Sequence, residues 1–274
     1  MNYYDDRTER LAEALLNVSP QRKLSIAYSG GVDSRFLAYF SDLSGFDVEL
    51  LHVSGPHISE EESAKAKEWA ESHGFKLRIL HLNPLLIPEV SVNSRKRCYY
   101  CKRELFSNLL KEASFPLCDG TNHSDLGHYR PGVQALRELG IFSPLADAGI
   151  SKKDIRELAA KLGMENPEQP SKPCVLTRFP YDVKLLSEEL SLVMEAESRI
   201  EKYLEECNLH SVKFRIRKTG PEHFELHIQR SDLSGVNNDQ ILALQAVAKA
   251  VSSKFADIPL VGLDSLSGYF DKKK

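Results

Sequence analysis

The chain has 274 residues, 36 Lys and Arg against 39 Asp and Glu, and a formal charge of −3. That balance lacks the basic excess of a nucleic-acid binder. No run of about 18 apolar residues offers a membrane span. The start, Met1-Asn2-Tyr3-Tyr4-Asp5-Asp6, has neither the basic nor the apolar region of a secretory signal, so a cytoplasmic protein is expected. At about 150 residues per domain the length predicts two domains, large enough to bury cores without disulfides. The five cysteines, an odd number, argue against a disulfide framework.

In chain order, residues 23–28 read as a strand, 35–43 as a helix and 46–53 as a second strand. Residues 59–73 read as a helix opened by a capping box of Ser59 and Glu62. A third strand follows at 76–82, a helix at 102–113 and a short buried strand at 116–118 that ends in Asp119-Gly120. Strands separated by helices predict an α/β fold with a doubly wound parallel sheet. The last helix of this half, 151–162, starts at Ser151 and has Gly163 where its end is expected. Four prolines between 164 and 182 mark a linker or functional loop. A long helix at 183–207, strands at 212–217 and 223–229, a helix at 238–252 and a strand near 259–263 predict a smaller α+β domain. The expected domains are 1–182 and 183–274.

Ser29-Gly30-Gly31-Val32-Asp33-Ser34 stands directly between a predicted strand and a predicted helix. The glycines let backbone N–H groups approach an anion, the helix start adds its positive end, and Ser29 and Ser34 add hydroxyls. Asp33 suits a divalent cation such as Mg2+ bridging phosphates. The loop lacks the Lys-Ser/Thr ending of a Walker loop and the spacing of a dinucleotide site. It resembles the PP-loop of the ATP pyrophosphatases, a superfamily of adenine nucleotide alpha hydrolase-like fold whose members cleave ATP to AMP and pyrophosphate. Gly120, Thr121 and Asn122, after a strand end, are candidates to reach adenosine or phosphate. Their ordinary reading is turn chemistry.

Cys98 and Cys101 have Cys-x-x-Cys spacing, which lets two thiolates converge on one metal, and Cys174 follows in the proline-rich loop. Three thiolates would leave one iron of a [4Fe–4S] cluster open for a hydrosulfide, as some sulfur-transferring PP-loop enzymes resemble. Packed thiols are the ordinary reading. Cys118, in an apolar strand, and Cys207, at a helix end, read as small buried hydrophobes.

The blocks Arg97-Cys98-Tyr99-Tyr100-Cys101-Lys102, Asp119-Gly120-Thr121-Asn122, Tyr129-Arg130-Pro131-Gly132, Ser143-Pro144-Leu145 and 170–181 follow in that order. Together they resemble the LarE family of ATP-dependent sulfur transferases in nickel-pincer nucleotide biosynthesis, from about residue 23 to 181. The resemblance implies adenylation of a carboxylate of pyridinium-3,5-biscarboxylic acid mononucleotide and displacement of AMP by sulfur. It also implies a small-molecule partner and a homo-oligomer. Cys174 occupies the family's sulfur-donor position, where in one branch the cysteine gives up its own sulfur and becomes dehydroalanine. As a cluster ligand it would instead work over many turnovers.

Arg178 is a candidate for a bidentate contact to the substrate's phosphate or carboxylate. Arg215 and Arg217 alternate on a strand and share a face suited to that phosphate, or form a solvated basic edge beside Lys213 and Lys218. Asp125 is a weaker metal candidate. Glu195, Glu197, Glu201, Glu205 and Glu206 read as a solvated helix face, although the family places a metal-binding carboxylate near Glu201. The sequence departs from the family pattern at His123-Ser124, His128, Glu165-Asn166 and Asp182. These departures leave the ATP chemistry in place and open the identity of the acceptor. A tRNA thiolase uses the same loop and thiols, but the charge of −3 and the lack of cysteines before Cys98 argue against it. An amidating synthetase gives the thiols no role, and a non-catalytic nucleotide-binding module leaves the intact loop unused.

Overall fold

The computed structural model describes residues 5–127 and 131–271. The chain divides into two compact units, Met1–Val90 with Lys96–Pro173, and Ser91–Arg95 with Cys174–Lys274.

The first unit is an α/β fold. Its sheet is parallel, in the order β3-β2-β1-β4, from β1 (Lys23–Ala27), β2 (Asp47–Ser54), β3 (Lys76–His81) and β4 (Leu117–Cys118). A central parallel strand is covered on both faces, so it reads as an apolar run. Leu24 and Ile26 of β1 and Leu50 and Leu51 of β2 are fully buried. The helix Val32–Leu43 joins the same core through Phe36 and Phe40, and the helix Lys152–Leu162 through Ile155 and Leu158.

The helix caps at Ser59 and Ser151 follow their sequence signals. Each serine accepts from the third helical N–H while the carboxylate there reaches back. Gly163 closes its helix in the left-handed region at φ +83°. Several helices of this unit depart from expectation. Asp6–Val18 is an unpredicted helix that starts on a capping box of Asp5 and Thr8 and buries Leu11 and Leu15, four residues apart on one face. The helix predicted from 102 begins at Arg97, because the residue before it, Lys96, makes no side-chain cap and so leaves no start signal.

The second unit pairs the helix Ser187–Glu206 with a three-stranded sheet in the order β5-β6-β7. β5 (Phe214–Lys218) and β6 (Phe224–Gln229) run antiparallel, and β6 and β7 (Leu260–Leu263) parallel. The long helix starts four residues later than predicted, and Asp182 before it takes a left-handed φ of +59°. Leu190, Val193, Ile200, Ile216, Leu226 and Phe255 are buried in this unit. Among the described residues no helix is long and apolar enough to cross a membrane.

Candidate active site

The phosphate loop is built by its own hydroxyls. The Ser29 N–H donates to Ser34 Oγ at 3.2 Å, the Gly31 N–H to Ser29 Oγ at 3.3 Å, and Ser34 Oγ to the Gly31 carbonyl at 3.1 Å. Gly31 is the N-cap residue of the helix Val32–Leu43 and gives it no side-chain cap, so the helix's first N–H groups stay available to an anion. Gly30 has φ +75°, and a Cβ there would come within 2.7 Å of Ala66 Cβ. A glycine is required at that position on both counts.

Gly120 comes to the same loop from the end of β4. A Cβ on it would lie 3.0 Å from the Ser34 nitrogen and 3.3 Å from Asp33 Cβ. The two glycine segments therefore share one cradle at the carboxyl ends of neighbouring strands, where nucleotides bind in open α/β sheets. The side chains of Thr121 and Asn122 turn inward instead. Thr121 donates to the buried Asp119, which also accepts from Ser143 Oγ at 2.7 Å. Asn122 caps the turn His123–Leu126 by accepting from the Ser124 N–H at 2.9 Å, and Asp125 completes that capping box. Tyr129 and Arg130 of the sequence blocks, and His128, lie outside the described residues.

Lys152 is the group that the sequence reading missed. Its Nζ donates to both oxygens of Asp33, at 2.8 and 2.7 Å. Burial pushes the Asp33 carboxyl above the ordinary carboxylate range, against the pull of the Lys152 ammonium. The loop thus presents a half-buried carboxylate and ammonium beside free helix N–H groups, a donor set that fits Mg2+ with a polyphosphate.

The thiols lie in different surroundings. Cys98 is exposed and Cys101 half-buried in the first turns of the helix Arg97–Glu112, three residues apart and hence on one face. Cys174 is exposed at the entry to the short turn Val175–Arg178 in the second unit. Thiols of this kind and number suit a [4Fe–4S] cluster in chemistry, but among the described residues no three His, Cys, Asp or Glu side chains gather as for a metal. Cys118 is fully buried, and burial pushes its thiol well up.

In the second unit, Arg178, Arg215 and Arg217 act on one another electrostatically. Burial and then Arg178 lower Arg215, opposed by Glu197 and Glu201. Burial, Arg178 and Arg215 bring Arg217 down to about 10. Glu197 is not part of a solvated face. It receives Arg178 bidentately, Nε to Oε1 at 2.8 Å and a terminal guanidinium nitrogen to Oε2 at 2.9 Å, and it also accepts the Ile216 N–H at 2.8 Å. Arg217 donates to His227 Nδ1 at 2.7 Å, and the Nε2 of this fully buried histidine donates to Glu225 at 2.6 Å. Glu195, Glu197, Glu201, Glu205 and Glu206 gave no sequence signal that one of them pairs with Arg178.

No family-wide sequence model matches the chain. An uncharacterized protein of Synechocystis is 35% identical over 195 residues, covering 69% of this chain and 71% of that protein. The pyridinium-3,5-bisthiocarboxylic acid mononucleotide synthase of Lactiplantibacillus plantarum is 31% identical over 200 residues, 71% of each chain. The chain belongs to the LarE-like family of PP-loop sulfur transferases. A more distant relative is the tRNA-5-methyluridine(54) 2-sulfurtransferase of Pyrococcus horikoshii, 27% identical over 192 residues, 60% of each chain. Membership of the LarE-like family implies that the protein binds ATP and Mg2+.

Proposed function

We propose that the protein activates a carboxylate of pyridinium-3,5-biscarboxylic acid mononucleotide with ATP and replaces an oxygen of that carboxylate with sulfur. The observation that carries this reading is the cradle of Gly30, Gly31 and Gly120 with its Asp33–Lys152 pair, in a chain similar to a pyridinium-3,5-bisthiocarboxylic acid mononucleotide synthase.

In the first step a carboxylate oxygen attacks the α-phosphorus of ATP, the bond to the bridging oxygen breaks, and pyrophosphate leaves. Loop N–H groups, Ser29 and Ser34 hold the departing phosphates. Mg2+, when bound, would be held by Asp33 and would neutralise phosphate charge, and Lys152 Nζ stands beside it to donate to a phosphate oxygen. In the second step sulfur attacks the acyl carbon and AMP departs with the acyl oxygen. Cys174 delivers that sulfur. If the sulfur is its own, the Cβ–S bond breaks with loss of the Cα proton and dehydroalanine remains. Were a [4Fe–4S] cluster bound, Cys98 and Cys101 would be among its ligands, and a hydrosulfide carried on it would take the place of the Cys174 sulfur.

Arg178, Arg215 and Arg217 bind the mononucleotide phosphate. Burial and neighbouring guanidiniums lower Arg215 and Arg217, which an anion would offset, and Arg178 beside them is held in place by Glu197. The net charge of −3 favours a small acceptor over tRNA. Intact mass of the chain after one turnover tests the donor. Loss of one hydrogen sulfide at Cys174 marks sacrifice, and an unchanged mass assigns the sulfur to another source.

A further inference from the structure

Residues Ser91–Arg95 belong to the second unit, although the chain on both sides of them belongs to the first. At their centre Asn93 is fully buried with φ +51°, a left-handed conformation that asparagine tolerates. Its Nδ2 donates to the carbonyls of Phe179 and Pro180, at 3.0 and 2.7 Å. Its own carbonyl accepts the Asp182 N–H at 3.3 Å, and the Ser91 carbonyl accepts the Leu185 N–H at 2.7 Å. The Arg95 guanidinium lies 4.8 Å from the Tyr181 ring centre, and the Tyr181 hydroxyl donates to Asp271 at 2.6 Å.

The turn that follows Cys174 has little order of its own. It is one short 3-10 stretch, Val175–Arg178, closed by the Thr177 N–H on the Cys174 carbonyl at 3.0 Å. A single turn does not hold itself in water, so its place is set from outside. Glu197 holds it through Arg178, and Asn93 holds the two carbonyls that follow.

We infer that Asn93 is a positioning residue for sulfur transfer: by clamping the Phe179 and Pro180 carbonyls it fixes the backbone that carries Cys174. This role rests on the proposed sulfur chemistry of Cys174. Binding of MgATP, which belongs to the other unit's cradle, does not need it.

The test compares wild type with Asn93→Asp, which keeps the shape and turns both donors into acceptors, and with Asn93→Gly, which keeps the backbone freedom and removes the clamp. Hydrogen exchange of amides 174–182 is expected to quicken about tenfold in both variants, the effect of removing about one net hydrogen bond. Sulfur transfer to the mononucleotide should slow about tenfold on the same count while the affinity for MgATP, read by titration calorimetry, stays at the wild-type value. Unchanged amide exchange in 174–182 overturns the clamp, as does a parallel loss of sulfur transfer and of MgATP binding. Unfolding of the whole second unit in both variants also overturns it, by making Asn93 purely structural. If wild type itself transfers no sulfur, the functional reading fails, and the amide exchange still decides the clamp.

Discussion

Lys152 Nζ lies within 2.8 Å of both carboxylate oxygens of Asp33, across 119 residues of sequence. The pair ties the loop Ser29–Ser34 to the start of the helix Lys152–Leu162 and places an ammonium beside that loop. Lys152→Ala should raise the KM for MgATP in pyrophosphate exchange about tenfold, the scale of one charged hydrogen bond. Asp33→Ala should abolish pyrophosphate release with the fold retained. Steady-state exchange assays and circular dichroism check both, and a wild-type KM in Lys152→Ala would remove the lysine from the site.

Gly30→Ala places a methyl group 2.7 Å from Ala66 Cβ at a φ of +75°. Strain of this kind costs about 1–3 kcal/mol, and the loop can relieve it only by moving its N–H groups. Titration calorimetry should show lost ATP binding, and the urea midpoint of the variant should fall. Normal ATP affinity would contradict the cradle geometry.

Glu197→Ala leaves the buried Arg178 guanidinium and the Ile216 N–H without their carboxylate. Breaking a buried pair from one side costs about 3 kcal/mol. Chemical denaturation should show that loss in the transition of the second unit, while ATP binding is unchanged. A change below about 0.5 kcal/mol, the level of a surface substitution, would return Glu197 to a solvated face.

Stability should depend on pH in two windows. Burial pulls the His57 imidazole down from the ordinary 6.5 to about 4. The unfolded chain therefore binds a proton that the folded one refuses, and stability, full above pH 6.5, falls as pH drops toward 4. Asp5, held by Arg7, and Asp154, held by Ser151 and then Arg7, lie at about 2. Their contribution is full above the ordinary 3.8 and is lost as pH falls through about 2. Urea midpoints against pH should show both slopes in wild type and a shallower upper one in His57→Gln, where His52, also lowered by burial, keeps its share. An unaltered upper slope in that variant would exclude His57 as its source.

What the sequence makes legible depends on the range of the interaction. Ser29–Ser34, the caps at Ser59 and Ser151 and the end at Gly163 are local chemistry, in which residue type and spacing alone specify backbone and donors. The helix Asp6–Val18 has a real capping box, but its third helical residue is Thr8, a weaker signal than Glu or Gln. The start at Arg97 has no cap to read. Lys152 with Asp33, Arg178 with Glu197, and Asn93 with Phe179 are set by tertiary packing. Lys153 beside Lys152, and four further glutamates beside Glu197, are the same residue type in sequence and differ only in what the fold brings to them.

The central claim is sulfur transfer to an ATP-activated carboxylate. Its most direct test is anaerobic incubation of the full chain with ATP, Mg2+ and pyridinium-3,5-biscarboxylic acid mononucleotide, followed by mass spectrometry of the nucleotide. The predicted result is a product in which sulfur has replaced a carboxylate oxygen, with AMP and pyrophosphate formed in equal amount. Recovery of the unchanged mononucleotide from protein that binds ATP would contradict it.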